Sequence, residues 1–318
     1  MTDHTGILKE IKSFLVISRA KIQLGTPPHP LLGLILGAAS ITQLFSSITL
    51  IYISLYFLLI TFACNINCLY DVKIDEKYKE HMSSAVKNLG KEKIKGIIIL
   101  EAIAIIVLIS VLFFRGFVIT ALLSLSGLGF GFIYSAEPVR VKRRGVLSPF
   151  PVLIGLYILP VLGGWFIFRD VLTLYIVVFC VGYALLNEGI TLVNTCEDYK
   201  EDMEEGITTW AHIFNMKRTM RVAFIFTTLG GLLAVIGVMM KPILTGWTFY
   251  NIHSSILFIG MGIVNTIAIL KIGGDIYDAG SKDDLQKSCK KAAKNMPQWF
   301  ISSRYPLLMM AVLLLLAL

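Results

Sequence analysis

The chain has 318 residues, of which 56% are hydrophobic and only 16% are charged, and its mean hydropathy is +0.75. Soluble domains carry about 25% charged residues, so this composition excludes an ordinary soluble protein and indicates an integral, multi-pass membrane protein. The net charge of +8 does not require nucleic acid as a partner, because anionic lipid headgroups attract basic segments at a membrane surface.

Nine apolar stretches are long enough to cross a bilayer, whose core of about 30 Å needs about 20 helical residues. They lie at residues 28–46, 48–70, 95–114, 117–135, 149–168, 172–194, 221–240, 253–272 and 300–318. We therefore predict an all-α bundle of nine transmembrane helices, capped by cytoplasmic loops and short helices. The whole chain, 1–318, is predicted to form one domain with no signal peptide and no appended soluble domain.

Residues 1–27 precede the first predicted span and carry apolar side chains at helical spacing, among them Ile7, Ile11 and Phe14. This pattern predicts an amphipathic helix that lies along the membrane surface. Arg19 and Lys21 follow at the membrane edge. Long basic side chains at such an edge either extend to the headgroups as anchors or contact a phosphate, and both readings stay open here.

The basic residues are distributed unequally between the two sides of the predicted bundle. Only Arg115, Arg169 and Lys241 fall in loops on one side, and the other 26 of the 29 lysines and arginines lie on the opposite side. Segments rich in lysine and arginine remain in the cytoplasm. We therefore predict a multi-pass protein of the cell membrane with a cytoplasmic N-terminus and an external C-terminus.

One polar pattern occurs twice, 127 residues apart, each time at the end of a long apolar run. Each copy has one asparagine and two aspartates in steps of four residues, which places the three side chains on one face of a helix. The first motif is Asn67, Asp71 and Asp75, and the second motif is Asn194, Asp198 and Asp202. Both are predicted to lie at the cytoplasmic ends of their spans.

Two such motifs facing each other predict a site for hard divalent cations, which prefer carboxylate and other oxygen ligands. Cations held in this way readily share their remaining positions with phosphate oxygens. The pair of motifs therefore predicts a diphosphate-binding site at the mouth of the bundle. A diphosphate substrate is also a second anionic partner that suits the positive net charge of the chain.

The sixth predicted span carries a polar stripe that runs from inside the bilayer into the second motif. Asn187 and Thr191 precede Asn194 on the same helical face, and Glu188 lies beside them within the apolar run. An ionisable side chain there costs about 2.5–3.5 kcal/mol on insertion scales, which favours a functional role facing the bundle interior. We predict that Asn187 binds substrate and that Glu188 orients the substrate or takes its proton. The alternative is a neutral or paired glutamate that ties two helices together.

The segment after the fourth predicted span, residues 134–144, is basic and lies at the same predicted edge as the two motifs. It contains Arg140 and Lys142, which we predict to contact the diphosphate. Taken alone, such a turn is more typical of an orientation signal than of a binding site.

These residues resemble a known family, the UbiA superfamily of intramembrane prenyltransferases. The resemblance rests on the two NxxxDxxxD motifs, placed after the second and sixth of nine helices, and extends to two further segments, Ser18-Arg19-Ala20-Lys21 and Tyr134-Ser135-Ala136-Glu137-Pro138. The second of these is similar to the chlorophyll synthase branch. The resemblance implies that the motifs hold Mg²⁺ on a polyprenyl diphosphate and that nearby basic residues help to hold the phosphates.

The resemblance implies transfer of a polyprenyl group, of geranylgeranyl type, from its diphosphate to a hydrophobic or amphipathic acceptor within the membrane. The acceptor stays open among an aromatic quinone precursor, a glyceryl phosphate lipid, a tetrapyrrole and a polyene, because the chain lacks the Arg-Pro-rich continuation of the first motif and has Glu80-His81-Met82-Ser83-Ser84-Ala85-Val86 there. Two other readings are an ion-coupled transporter and a relative that cyclises or cleaves the prenyl diphosphate without an acceptor.

The predicted site residues fall into three groups. Those assigned to the metal are the six motif residues. Those assigned to catalysis are Asp71, Asp75, Asp198, Asp202 and Glu188. Those assigned to substrate binding are Asn67, Asn194, Arg19, Lys21, Tyr134, Arg140, Lys142 and Asn187.

Overall fold

The computed structural model describes residues 4–244 and 252–316, which form a bundle of helices. In the first half of the chain these are α1 (His4–Ile17), α2 (Ala20–Gln23), α3 (Pro28–Gly37), α4 (Ser47–Tyr78), α5 (Glu80–Leu89), α6 (Lys91–Phe114), α7 (Val118–Ser135) and α8 (Phe150–Val152). The second half contains α9 (Leu159–Trp165), α10 (Leu174–Glu197), α11 (Tyr199–Glu204), α12 (Trp210–Phe214), α13 (Met216–Leu244), α14 (Ile252–Ser281), α15 (Leu285–Ala293) and α16 (Met296–Leu316). The predicted all-α class is confirmed.

Eight helical segments within the described residues are long and apolar enough to cross a membrane. Seven are the single helices α4, α6, α7, α10, α13, α14 and α16. The eighth is Gly145–Trp165, in which α8 and α9 flank the π-helical stretch Leu153–Ile158. Large apolar side chains are exposed along these segments, as expected for faces that contact lipid.

The first predicted span, 28–46, is not a continuous helix. Only its first ten residues form α3, which ends where Ala38 turns to an extended conformation (φ −62°, ψ 146°), and a short 3₁₀ helix, Ile41–Phe45, follows. Gly33 lets α3 pack closely on α9, because a Cβ at this position would overlap the carbonyl of Val161. The apolar run was long enough for a span, but composition does not reveal where a helix stops.

Two basic side chains bind the last carbonyl groups of α3, which have no partner within the helix itself. Arg169 Nε donates to the carbonyl of Gly37 over 2.7 Å, and Lys241 Nζ donates to the carbonyl of Leu36 over 3.0 Å. Lys241 lies inside α13 and is 4% exposed, so its assignment to a loop was wrong. These contacts fix the end of a helix that is too short to span the bilayer alone.

Residues 18–26 run along α4 into the bundle, in the opposite direction to that helix. Arg19 bonds to Asn67, Gln23 donates to the hydroxyl of Thr61 over 3.1 Å, and the hydroxyl of Tyr56 donates to the carbonyl of Thr26. The N-terminal helix α1 forms where it was predicted, and the side chains of Ile7, Leu8, Ile11 and Leu15 are exposed on it. An exposed apolar face on α1 suits a helix at a membrane surface.

Helix α10 lies at the centre of the bundle. In its most apolar stretch 72% of the residues are buried, compared with 22% in α6 and in α7. It packs backbone against backbone on α13, because a Cβ at Gly182 would overlap the amide nitrogen of Ala234, and one at Gly230 would lie 2.5 Å from the amide nitrogen of Leu186. Small residues permit this close approach of two helices in a membrane.

We expect Gly182→Ala to destabilise the protein by about 1–3 kcal/mol, because the added methyl group must push α10 and α13 apart. Thermal unfolding in detergent measures the effect. Gly260→Ala in α14 is the matched control, because a Cβ there meets nothing within 4 Å. This control should leave stability unchanged or raise it by up to about 1 kcal/mol. Equal melting temperatures for the two variants would contradict the close packing of α10 on α13.

Candidate active site

One cavity of about 1020 Å³ lies between α4, α7, α10 and α16 and contains both sequence motifs. All six motif residues line it, although the two motifs are 127 residues apart in sequence. We call the end of the bundle at which these six residues lie the motif end. Other predicted site residues that line the cavity are Arg19, Lys21, Tyr134, Lys142 and Glu188, whereas Arg140 and Asn187 do not line it.

The first motif is held by basic and polar side chains from other segments. Asn67 accepts a hydrogen bond from Arg19 Nη2 over 2.8 Å and donates one to the hydroxyl of Ser135 over 2.9 Å. Arg19 has a left-handed backbone (φ 52°), a conformation that arginine rarely adopts and that the surrounding structure must hold in place. Lys21 is exposed at the rim of the cavity.

Asp71 is the most strongly paired of the motif carboxylates. One of its oxygens accepts from Arg140 Nη2 over 2.7 Å, and the other accepts from Lys142 Nζ. Arg140 also bonds to Glu137 over 3.0 Å and is 7% exposed. It therefore lies behind Asp71 and holds this carboxylate, whereas the sequence predicts a contact between Arg140 and the diphosphate. Lys142 does reach the cavity, and its burial lowers the pKa of its amino group.

The second motif continues from α10 into α11 without a change of face. The amide of Asp198 donates to the carbonyl of Asn194, and the amide of Asp202 donates to that of Asp198, so helical hydrogen bonds persist across the break at Glu197. The side chain of Asn194 donates to Asp198 over 2.9 Å. Burial, and after it the neighbouring charge of Asp198, raises the pKa of Asp202 to about 7.

Side chains that follow the first motif connect it to the second. Lys77 and the hydroxyl of Tyr78 both bond to Glu204 of α11, the latter over 2.6 Å, and Lys79 lies 3.8 Å from Asp198. These contacts hold the ends of α4 and α11 together over the motif end of the cavity. Lys79 also lines the cavity and carries a positive charge between the two motifs.

The arrangement of carboxylates fits a cation that binds together with a phosphate. Within residues 4–244 and 252–316, no three acidic, histidine or cysteine side chains are close enough to form a complete metal site. Four motif aspartates nevertheless line one cavity. Mg²⁺ is commonly bound by one or two carboxylates together with substrate phosphates, and dedicated cages of protein ligands are rare for this ion. The site therefore suits Mg²⁺ bridged by a diphosphate.

Deeper in the cavity, Glu188 and Asn187 have different environments. Glu188 lines the cavity and is 3% exposed, and its Oε2 has no hydrogen-bond partner among the described residues. Asn187 points away from the cavity, donates to the carbonyl of Tyr183 over 2.6 Å and accepts from Arg304 Nε over 2.6 Å. The predicted substrate contact of Asn187 is therefore replaced by a bond that positions Arg304.

Sequence reasoning missed Arg304, as well as His29 and Tyr157, all three of which line the cavity. A signal for Arg304 was present, because it is an ionisable residue inside the last predicted apolar span. The count of charges had placed it with the basic residues of the cytoplasmic side, but it is 3% exposed within the bundle. No comparable signal marked His29, at the start of the first predicted span, or Tyr157, in the middle of the fifth.

Residues 30–274 match the sequence model of the UbiA prenyltransferase family. The chain belongs to this family. That membership confirms the resemblance identified from the two motifs and makes the protein an intramembrane prenyltransferase. No curated protein matches the chain in sequence.

Solved structures of this family have the same fold. A UbiA homologue from Archaeoglobus fulgidus bound to GPP and Mg²⁺ has a TM-score of 0.64 at 15% identity, and its DMAPP and Mg²⁺ complex has 0.64 at 14%. Both matches cover 93% of this chain and 99% of the other. A digeranylgeranylglyceryl phosphate synthase has a TM-score of 0.60 at 16% identity, covering 95% of this chain and 99% of the other. At these identities the likeness concerns the fold.

We expect Arg140→Leu to destabilise the protein by about 1–3 kcal/mol, because it removes one of the two buried basic partners of Asp71 and leaves Lys142 as the other. Asp71→Asn should cost less stability in the Arg140→Leu background than in the wild type, because the pair with Arg140 is already broken there. Thermal unfolding of both single variants and the double variant measures this coupling. Arg218→Leu, at an exposed arginine of α13, is the matched control. Additive losses in the double variant would contradict the pairing.

Proposed function

We propose that this protein transfers a polyprenyl group from its diphosphate to an acceptor at the cavity described above, in a reaction that depends on Mg²⁺. The observation that carries this proposal is that all six motif residues line one cavity that continues between apolar helices. The volume of about 1020 Å³ is slightly above the range of about 300–1,000 Å³ that is usual for small-molecule sites. Such a cavity suits a long donor together with a second substrate.

The diphosphate would bind at the motif end. Its metal ions would be held by the four motif aspartates, and Mg²⁺ there supplies a positive charge that stabilises the departing diphosphate. Arg19, Lys142 and Lys79 line the same end and would contact phosphate oxygens directly. Lys21 and Tyr134 are placed for the same role. Family members bound to GPP or DMAPP with Mg²⁺ support this assignment of donor and metal.

The transfer step exchanges one bond of the donor for one bond of the acceptor. The allylic carbon–oxygen bond breaks and its electron pair leaves with the diphosphate. A nucleophilic carbon or oxygen of the acceptor then provides the electron pair for the new bond to the prenyl carbon, and it loses a proton. The apolar walls of the cavity, which include Leu59, Leu123 and Phe130, exclude the water that would otherwise capture the carbocation.

Glu188 is the residue we propose to accept that proton. It lies six residues before Asn194 on α10, which is about 9 Å along the helix axis. Glu188 lines the same cavity, and its Oε2 has no protein partner among the described residues. A carboxyl group at this depth is placed to orient the acceptor and take its proton, while the diphosphate remains at the motif end.

The proposal also includes the orientation of the protein in the membrane and the identity of its two substrates. The uneven distribution of basic residues favours a motif end that faces the cytoplasm. We retain a geranylgeranyl-like donor and an acceptor that is an aromatic quinone precursor or a glyceryl phosphate lipid. The structural likeness to a digeranylgeranylglyceryl phosphate synthase supports the lipid alternative without deciding between the two.

Asp71→Asn and Asp198→Asn should each lower kcat/KM for prenyl transfer by about 100-fold or more, because each removes a charge that holds the metal and diphosphate. Labelled prenyl diphosphate and a panel of acceptors in purified membranes provide the assay, and excess EDTA should abolish transfer. Asp283→Asn is the matched control, because Asp283 is exposed and does not line the cavity. Full activity in EDTA would contradict the metal dependence. Product that forms equally well without any acceptor would indicate a cyclase or a hydrolase.

Glu188→Gln should slow single-turnover transfer by about 100-fold with the donor already bound, because the variant keeps the side-chain shape and loses the proton acceptor. Glu101→Gln in α6 is a matched control: Glu101 is also a buried intramembrane carboxyl group, but it bonds to Asn65 and does not line the cavity. Rates measured across pH separate a proton-accepting role of Glu188 from a role in tying two helices together. Coincident pH profiles for the wild type and Glu188→Gln would eliminate Glu188 as the base.

A further inference from the structure

The deep part of the cavity contains an arginine with no acidic partner. Arg304 lies on α16, is 3% exposed and lines the cavity. Its Nε donates to Asn187 over 2.6 Å, its Nη1 donates to the carbonyl of Gly25 over 2.8 Å, and its guanidinium stacks on the ring of Phe300 at 3.9 Å. Among residues 4–244 and 252–316, no carboxylate lies within 4 Å of it.

This environment orients the guanidinium without neutralising its charge. Both hydrogen-bond partners are neutral oxygens, whereas a buried cation is normally paired with an anion because its desolvation is costly. The guanidinium has five N–H donors in a fixed planar fork, and the two bonds above use two of them. A carboxylate or a phosphate matches the remaining donors and supplies the missing negative charge.

A second cavity-lining group near Arg304 also has a polar atom without a partner among the described residues. His29 is fully buried and its Nδ1 lies 2.7 Å from the hydroxyl of Tyr183, while its Nε2 has no hydrogen-bond partner among the described residues. His29 lines the cavity, and its ring contacts that of Tyr157, over which the guanidinium of Arg304 also lies. The protein therefore provides a cation and an unpaired imidazole nitrogen around one part of the cavity.

Arg304 lies at a depth that suits the far end of an acceptor bound beside the donor. Asn187, which binds Arg304, lies seven residues before Asn194, or about 10 Å along α10. A diphosphate bound at the motifs leaves this interval for the allylic carbon, the attacking atom of the acceptor and the body of the acceptor. The far end of the acceptor would then reach Arg304, well separated from the negative charge of the diphosphate.

We infer that the acceptor carries an anionic group, a carboxylate or a phosphate, which binds Arg304 and His29 and directs the nucleophilic end of the acceptor towards the motifs. This inference rests on the proposed prenyl transfer and adds to it the chemical class of the acceptor. An aromatic acid and a glyceryl phosphate lipid both meet this requirement. A neutral hydrocarbon or a neutral quinol does not.

Matched pairs of acceptors test the inference on the wild-type protein. One pair is 4-hydroxybenzoate and 4-hydroxybenzamide, and the other is a prenylglyceryl phosphate and the corresponding prenylglycerol. We expect the anionic member of the accepted pair to have a kcat/KM at least about tenfold higher than its neutral analogue, because it alone pairs with the arginine. The pair that reacts identifies carboxylate or phosphate as the source of the charge.

The variant Arg304→Gln should bring this ratio close to one, mainly by raising KM for the anionic acceptor. Arg304→Lys keeps the charge and should retain part of the preference, and Arg218→Gln, at the exposed arginine of α13, should retain all of it. An equal loss of rate with both members of a pair in Arg304→Gln would assign Arg304 to structure and overturn the inference. If Arg304→Gln does not fold, the wild-type ratio still decides.

The outcomes also separate this inference from the proposed function. Transfer by the wild type that shows no preference for the anionic acceptor, or prefers the neutral one, overturns the inference and leaves prenyl transfer intact. A wild type that transfers to none of the four acceptors and releases no diphosphate in the presence of Mg²⁺ overturns both.

Discussion

The bundle depends on the fact that a bilayer interior provides no water to hydrogen-bond with polar groups. Several polar side chains between the helices are therefore bonded to other parts of the protein. The hydroxyl of Thr120 donates to the carbonyl of Gly163, Asn65 donates to Glu101, and Asn265 donates to the carbonyl of Ser303. The polar groups we assign to chemistry instead gather around one cavity, where a substrate can provide the partners that lipid cannot.

The central position of α10 connects packing to the proposed chemistry. Its glycine contact with α13 fixes the depth and rotation of the helix, and the same helix carries Glu188 and Asn194 at different depths of the cavity. Because side chains on a helix move together, a change in the rotation of α10 would displace the second motif from the first. The close packing far from the motif end therefore determines how the carboxylates face one another.

Basic side chains offset part of the negative charge at the motif end before any substrate binds. Asp71 is paired with Arg140 and Lys142, Asp198 has Lys79 nearby, and burial raises the pKa of Asp202 to about 7. Within each motif the two carboxylates repel each other, and a bound cation would relieve this repulsion. The basic side chains that line the cavity favour the anion that would arrive with that cation. Both halves of a metal diphosphate complex therefore find complementary charges.

The sequence alone determined that this is a membrane protein, and it located seven single transmembrane helices and the two motifs, each with its residues on one helical face. These features follow from hydrophobicity and from a period of 3.6 residues, which are local properties. The sequence could not determine that α3 stops at Gly37, that Arg140 lies behind Asp71 or that Arg304 bonds to Asn187, 117 residues away. Those facts depend on how the helices rotate and pack against each other. A helix can be recognised from its own residues, but the partner of a buried side chain is decided only when distant segments meet.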